Sequence, residues 1–188
     1  MLKYKITTQP TEPITLEAVK AHLRLTGNDE ADHISNLITA AREYAQGVTG
    51  KLYGVQTVTA VCDSFPADDI IELPTAPIIS LTSLIYKNSA LMETNITADV
   101  IVDDFATKPT LVLKSTANWP SVGLYQVNPI KIIYKSGAIP SSKIKAAMLL
   151  LIAHWFENRE EVVTGTQQPY SVPFAAEALL QQERHTTT

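Results

Sequence analysis

The side chains best suited to chemistry in this 188-residue chain are four histidines, one cysteine and 19 carboxylates, and their spacing decides what they could do. His154 and Glu157 stand one helical turn apart, a separation that lets two ligands share a metal ion. A zinc-binding helix usually presents two histidines four residues apart with a third ligand elsewhere, and none of His22, His33 and His185 supplies the second histidine near His154. His154 therefore reads better as a flank residue of an apolar helix. Asn28, Asp29, Glu30 and Asp32 are rich in oxygen, but the EF-hand intervals and closing glutamate are missing, and Asp29 capping a helix accounts for the cluster. Asp68 and Asp69, like Asp103 and Asp104, are sequence neighbours; strand neighbours point to opposite faces, so neither pair is an acid/base dyad, and turns explain both.

Cys62 shares a strand face with Val58 and Ala60, which suits a small buried hydrophobe better than a nucleophile. As the single cysteine it also excludes an intrachain disulfide and a cysteine-built zinc knuckle. The seven glycines form no GxSxG elbow, Walker-type loop or GxGxxG turn. Trp119 and Trp155 lack the surrounding Lys and Arg of a base-stacking platform, so packing is the better account of both. The enzymatic alternative is a small metal-dependent or cysteine hydrolase whose site lies between the β region and the helices, drawing on His154, Glu157 and Cys62. Solution mass and metal content separate the readings: a metal-loaded monomer favours the enzyme, metal-free oligomers a structural protein.

The elements that must position these residues fall into three blocks. Thr15 to Leu25 reads as a short helix capped by Thr15, with Leu16, Val19 and Leu23 on one side. Asp29 to Thr49 reads as a longer one, because Ile34, Leu37, Ile38, Ala41, Ala45 and Val48 recur at three- and four-residue intervals before Gly50 ends it. Beyond Gly54 the period falls to two. Strands are expected at Val55 to Cys62, Asp69 to Leu73, Ile78 to Tyr86, Asp99 to Val102, Thr110 to Leu113 and Pro129 to Tyr134, forming a small antiparallel sheet, while Ser89 to Ala98 alternates little. A third helix follows from about residue 141 to 160, capped by Ser141 or Ser142. A terminal helix, about 173 to 184, enters at Pro173 after the loop-like VVTGTQQPYSVP.

The third helix is apolar around nearly its whole circumference. Ile144, Ala147, Met148, Leu151, Ile152 and Trp155 make one face, and Leu149, Leu150, Ala153 and Phe156 make the other. Leaving Leu149, Leu150 and Phe156 in water would forfeit roughly 1.5–3 kcal/mol each, so the second face must meet another part of this chain or another subunit.

Length, 45% hydrophobic residues and 18% charged residues fit one domain over residues 1–188. The N-terminus carries no signal-peptide run and the Ile144 segment is too short to span a bilayer, so a cytoplasmic, non-membrane protein is expected. Net charge is −4 and the lysines and arginines are scattered, so no segment carries the basic footprint that tight phosphate binding needs.

Six segments in order, EPITLEAVKAHLRL, DHISNLITAAREYAQGVTGK, IELPTAPIISLTSLIY, NPIKIIYKSGAIP, IKAAMLLLIAHWFENRE and PFAAEALLQQER, are spread over nearly the whole length of the chain. Together they resemble the head-tail connector (adaptor, or head-completion) proteins of tailed bacteriophages and prophages. The resemblance implies an α+β, mainly helical protomer: an N-terminal helix pair and C-terminal helices with an inserted small antiparallel β region. It further implies a non-enzymatic ring, dodecameric on the portal, located in the virion neck and assembled in the host cytoplasm. The implied partners are copies of itself, the portal, and neck and tail-completion proteins, with DNA passing through without sequence-specific binding and with no cofactor or metal. A ring joins one patch to a different patch on the neighbour, which gives surplus apolar faces a use. Leu149, Leu150, Trp155 and Phe156, with Phe174, Leu179 and Leu180 of the terminal helix, are the candidate interface residues. The tether from Val162 to Val172 is expected to order on binding a partner, which persistent proteolysis in the assembled neck would contradict.

Overall fold

The computed structural model describes residues 2–8, 10–105, 108–158 and 173–184. The expected tether and His185 therefore lie outside the described residues. The described residues divide into two compact units, one built from those up to Pro10 and from Val55–Ala138, the other from Thr11–Gly54 and the described residues from Ile139 to Arg184.

The second unit holds the four α-helices among the described residues, α1 (Leu16–Leu23), α2 (Ala31–Thr49), α3 (Ser142–Glu157) and α4 (Phe174–Gln181). Thr15 starts α1 because its hydroxyl accepts the otherwise orphaned N–H of Ala18 at 3.2 Å. Arg24 ends it in the left-handed region at φ 56°. Gly50 ends α2 at φ 72°, a conformation that costs glycine nothing, and its N–H reaches Gln46 O at 2.9 Å. The expected cap at Asp29 is displaced by one residue: Glu30 occupies the cap position of α2 and makes no side-chain cap bond. At α3, Ser141 is the cap, its Oγ accepting from Ile144 N–H at 3.4 Å. Ile34, Ile38, Ala41 and Ala45 of α2 and Ile144, Ala147, Met148, Leu151 and Ile152 of α3 are buried, so the helix periodicity read from the sequence is the periodicity of the core.

The first unit contains β1 (Lys3–Ile6), β2 (Gln56–Cys62), β3 (Ile70–Glu72), β4 (Ile78–Lys87), β5 (Glu93–Asn95), β6 (Val100–Asp103), β7 (Thr110–Leu113) and β8 (Ile130–Ser136). The single small sheet expected is in fact two antiparallel sheets, one of five strands in the order β1-β2-β8-β4-β5 and one of three in the order β3-β7-β6. Strands are about as common as helices, so the expectation of a mainly helical α+β protein is corrected to α+β with comparable shares. The extra strands are β1 and β5, and both are edge strands whose residues all keep solvent exposure. An edge strand exposed on both faces has no reason to alternate, and alternation was the only available signal.

Strand register sorts the five-stranded sheet into two faces, because residues directly opposite one another across antiparallel strands share a face. Ala60, Ile132 and Leu84 form one row and Val58 and Tyr134 belong to the next, all fully buried. Tyr134 is anchored by a 2.7 Å hydrogen bond between its hydroxyl and Thr75 Oγ1. Ser136 at the strand end donates to Pro77 O at 2.7 Å. In the three-stranded sheet Ile71, Leu111 and Val102 form the inward row, with Ile71 and Leu111 buried.

Candidate functional site

The candidate surface is built on α3 and α4. The buried stripe of α3 packs against α1, α2 and α4, while Leu149, Leu150 and Ala153 on its other side are only half-buried. Trp155 and Phe156 are half-buried too, and each meets a ring from α2: Trp155 lies edge-on to Tyr44 at 6.1 Å between centroids, and Phe156 tilts against His33 at 6.0 Å. The last turn of α3 thus spends part of its aromatic surface within its own unit, and Leu149 and Leu150 keep only part of theirs exposed.

On α4 the three candidate residues separate. Leu180 is fully buried and belongs to the core of the helical unit, Leu179 is half-buried, and Phe174 is 85% exposed. Polar contacts hold the helix down: Lys143 Nζ donates to Gln182 Oε1 at 3.1 Å, Ser141 Oγ to Glu183 Oε1 at 3.3 Å, and Lys51 pairs with Glu183 at 3.9 Å. The helix is therefore seated by Leu180 and presents Phe174 outward.

The residues weighed for catalysis belong to different units. Cys62 lies in the β unit and His154 and Glu157 in the helical one. Burial pushes the Cys62 thiol up from its ordinary value, away from thiolate chemistry, with Asp63 adding to the shift. The Asn158 amide donates to His154 O at 2.8 Å, closing the C-terminal end of α3. Among the described residues no three His, Cys, Asp or Glu side chains stand close enough to hold a metal ion. No described helix is long and apolar enough to cross a membrane. Asp103 Oδ1 accepts from Phe105 N–H at 3.0 Å in a turn, and Trp119 stacks on Phe65 at 4.9 Å while its Nε1 donates to Asp68 O at 2.9 Å, so packing and turn geometry occupy these groups.

A surface that the linear sequence conceals lies on the outer face of the five-stranded sheet. Lys3, Val61, Lys131 and Ile85 form one cross-strand row, Lys5, Thr59 and Ile133 the next, and Thr57 and Lys135 the third. Four lysines thus share one face although up to 132 residues separate them in the chain, from Lys3 to Lys135. The signal was available only as period two in KYK and in KIIYK, each too short to register as a basic patch.

The sequence matches the family of phage gp6-like head-tail connector proteins over residues 13–108. No curated protein sequence matches the chain. Among solved structures it resembles a chain described as the neck of an empty GTA particle computed with C6 symmetry, with TM-score 0.80, 21% identity, and coverage of 99% of this chain and 97% of that one. It also resembles chains from the virion of a native gene transfer agent particle (TM-score 0.77, 20% identity, 98% and 96% covered) and from the neck of a native GTA particle computed with C12 symmetry (TM-score 0.69, 20% identity, 98% and 97% covered).

Proposed function

The chain belongs to the phage gp6-like head-tail connector family, and on that premise we propose that it is a non-enzymatic structural component of a virion neck that assembles as a ring beneath the portal, extends the DNA channel and gives neck and tail-completion proteins a surface to dock on. The observation that carries this reading is the family match itself, which spans α1, α2 and the strands β2 to β6. The resemblance along the whole chain to proteins described as parts of GTA necks agrees with it, and the C6 and C12 symmetries named for those necks fit a ring of identical copies.

The physical argument supports the same role. Half-buried Leu149, Leu150, Trp155 and Phe156, half-buried Leu179 and outward Phe174 are apolar surface that a neighbour would bury, and a cyclic assembly supplies a neighbour on each side. Leu180, already buried, takes no part in such a contact and instead seats α4. The duty is positioning: the chain holds other components in register and performs no bond chemistry.

Deleting the gene from the producing phage or prophage and imaging the particles tests the proposal. DNA-filled heads without tails are expected, and rescue by the protein supplied in trans. Normal tailed particles in its absence would overturn the role. Electron microscopy of the purified protein with and without its portal then reads ring formation and copy number.

A further inference from the structure

The lysine face of the five-stranded sheet has a counterpart on the same unit. In the three-stranded sheet the rows opposite the buried Ile71 and Leu111 are Ile70, Val112 and Ile101, then Glu72, Thr110 and Asp103, of which Thr110 is itself buried. Ile70 is 43% and Ile101 55% exposed, so an apolar stripe crosses this sheet with two carboxylates beside it. Asp68, Asp69 and Asp104 sit in the adjoining connections, and Asp99 ends the short 3-10 helix Thr97–Asp99 that leads into β6. Against these six carboxylates stand Lys108, paired with Glu72 at 3.3 Å, and Lys114, whose Nζ donates to Ala98 O at 2.5 Å. The opposing face carries Lys3, Lys5, Lys131 and Lys135 around half-buried Val61, Ile85 and Ile133. Among the described residues only Lys3 has an ion pair there, with Asp63 at 3.7 Å, so three of the four ammonium groups lack a carboxylate partner.

The spacings also match. Lys3 and Lys131 flank Val61 at two inter-strand steps, as Glu72 and Asp103 flank Thr110, and both pairs therefore stand about 10 Å apart. Two sheets packed face to face are about 10 Å apart, within reach of lysine side chains that cover apolar rows with their stems and present charge at the tip.

We propose that the lysine face of one copy docks on the outer face of the three-stranded sheet of a second copy, so that the β units join head to tail. The contact rests on the ring reading above and names a surface of it distinct from α3 and α4. Two different, complementary patches on one chain are what a closed heterologous ring requires, since each copy must offer one to each neighbour. Nucleic acid is the less suited occupant: among the described residues of its paired strands the face has no arginine for bidentate phosphate contact, and at its β4–β5 edge Glu93 stands opposite Lys87.

Charge reversal with complementation tests it, using the full chain. Lys131→Glu with Lys135→Glu reverses the basic face, and Glu72→Lys with Ile101→Lys places two cations on the acidic one; all four positions are exposed, so circular dichroism of each variant should match the parent. In sedimentation velocity the parent chain should associate with rising concentration and less so at high salt. Each double variant should need at least about tenfold more protein to associate, and an equimolar mixture should recover the parent behaviour because each reversed face meets its reversed complement in alternating copies. A mixture that stays dissociated, or a parent that remains monomeric at every concentration in low salt, overturns the contact. So does duplex DNA binding that the Lys131→Glu, Lys135→Glu pair abolishes while association is unchanged. The gene-deletion phenotype is read independently, so tailless particles together with a failed mixture would reject this contact and leave the connector role standing.

Discussion

Removing Glu12, which is only half-exposed, should destabilise the helical unit far more than an ordinary surface change does. Arg42, in the middle of α2, is only 3% exposed, and its Nε donates to Glu12 Oε2 at 3.0 Å while Thr39 Oγ1 donates to Glu12 Oε1 at 2.9 Å. Glu12→Ala strands a buried guanidinium whose remaining anion, Glu43 at 3.5 Å, is 65% exposed and correspondingly weak. Breaking a buried pair from one side costs about 3–5 kcal/mol, and because Glu12 itself is 30% exposed the lower end applies, about 3 kcal/mol. In urea, with a slope of about 2 kcal/mol/M, that lowers the midpoint by about 1.5 M. All four described α-helices belong to this unit, so ellipticity at 222 nm follows its unfolding. Replacing both partners, Glu12→Ala with Arg42→Met, should recover much of the loss, since the charge no longer needs a partner. A Glu12→Ala variant within 1 kcal/mol of the parent, or a double variant no more stable than the single one, would refute the reasoning.

Three further outcomes follow from the same structure. Leu180→Ala should cost about 2–5 kcal/mol by urea denaturation because Leu180 is fully buried, whereas Phe174→Ala, at an exposed position, should fall within about 0.5 kcal/mol. Burial pushes Tyr134 up to about 12 from its ordinary 10, outweighing its hydrogen bonds to Thr75; the unfolded chain therefore releases this proton from about pH 10 while the folded one holds it, and stability falls by about 1.4 kcal/mol per pH unit between the two values. Tyr134→Phe should flatten that alkaline slope in urea titrations at pH 8 to 11 although it lowers stability at neutral pH, and an unchanged slope would count against the assignment. Cys62, with its thiol pushed up by burial, should react with iodoacetamide at pH 7.5 several-fold more slowly than a free cysteine peptide; rapid modification would revive the nucleophile reading.

The helices were legible because their burial is one-sided. Apolar residues at three- and four-residue intervals in α2 fall on the buried positions Ile34, Ile38, Ala41 and Ala45, and Thr15, Gly50 and Ser141 punctuate the chain where their side chain or backbone freedom is used. The strands β2 and β8 were legible for the same reason, each having one buried face. Strands β1 and β5 were not, because exposure on both faces leaves no pattern. The division into two sheets was equally hidden, since pairing partners such as Glu72 and Thr110 are chosen by register, and composition does not encode register. Nothing in the sequence singles out Glu12, because its role depends on an arginine 30 residues away.

The same logic bears on the interaction surfaces. Apolar surplus on α3 is visible in sequence because a helix carries its whole circumference within seven residues, so IKAAMLLLIAHWF announces two apolar faces at once. Charge on a sheet face is invisible by construction, since each strand contributes one or two residues per face and the sum exists only after pairing. A scattered distribution of lysine therefore excludes a basic segment and does not exclude a basic surface: Lys3, Lys5, Lys131 and Lys135 converge on one face of a chain whose net charge is −4. The excess negative charge must then reside elsewhere, and the three-stranded sheet with its turns holds a large part of it. A molecule so divided has opposite charge on separate patches, an arrangement that favours copies meeting head to tail over copies meeting like patch to like patch, where lysine would face lysine.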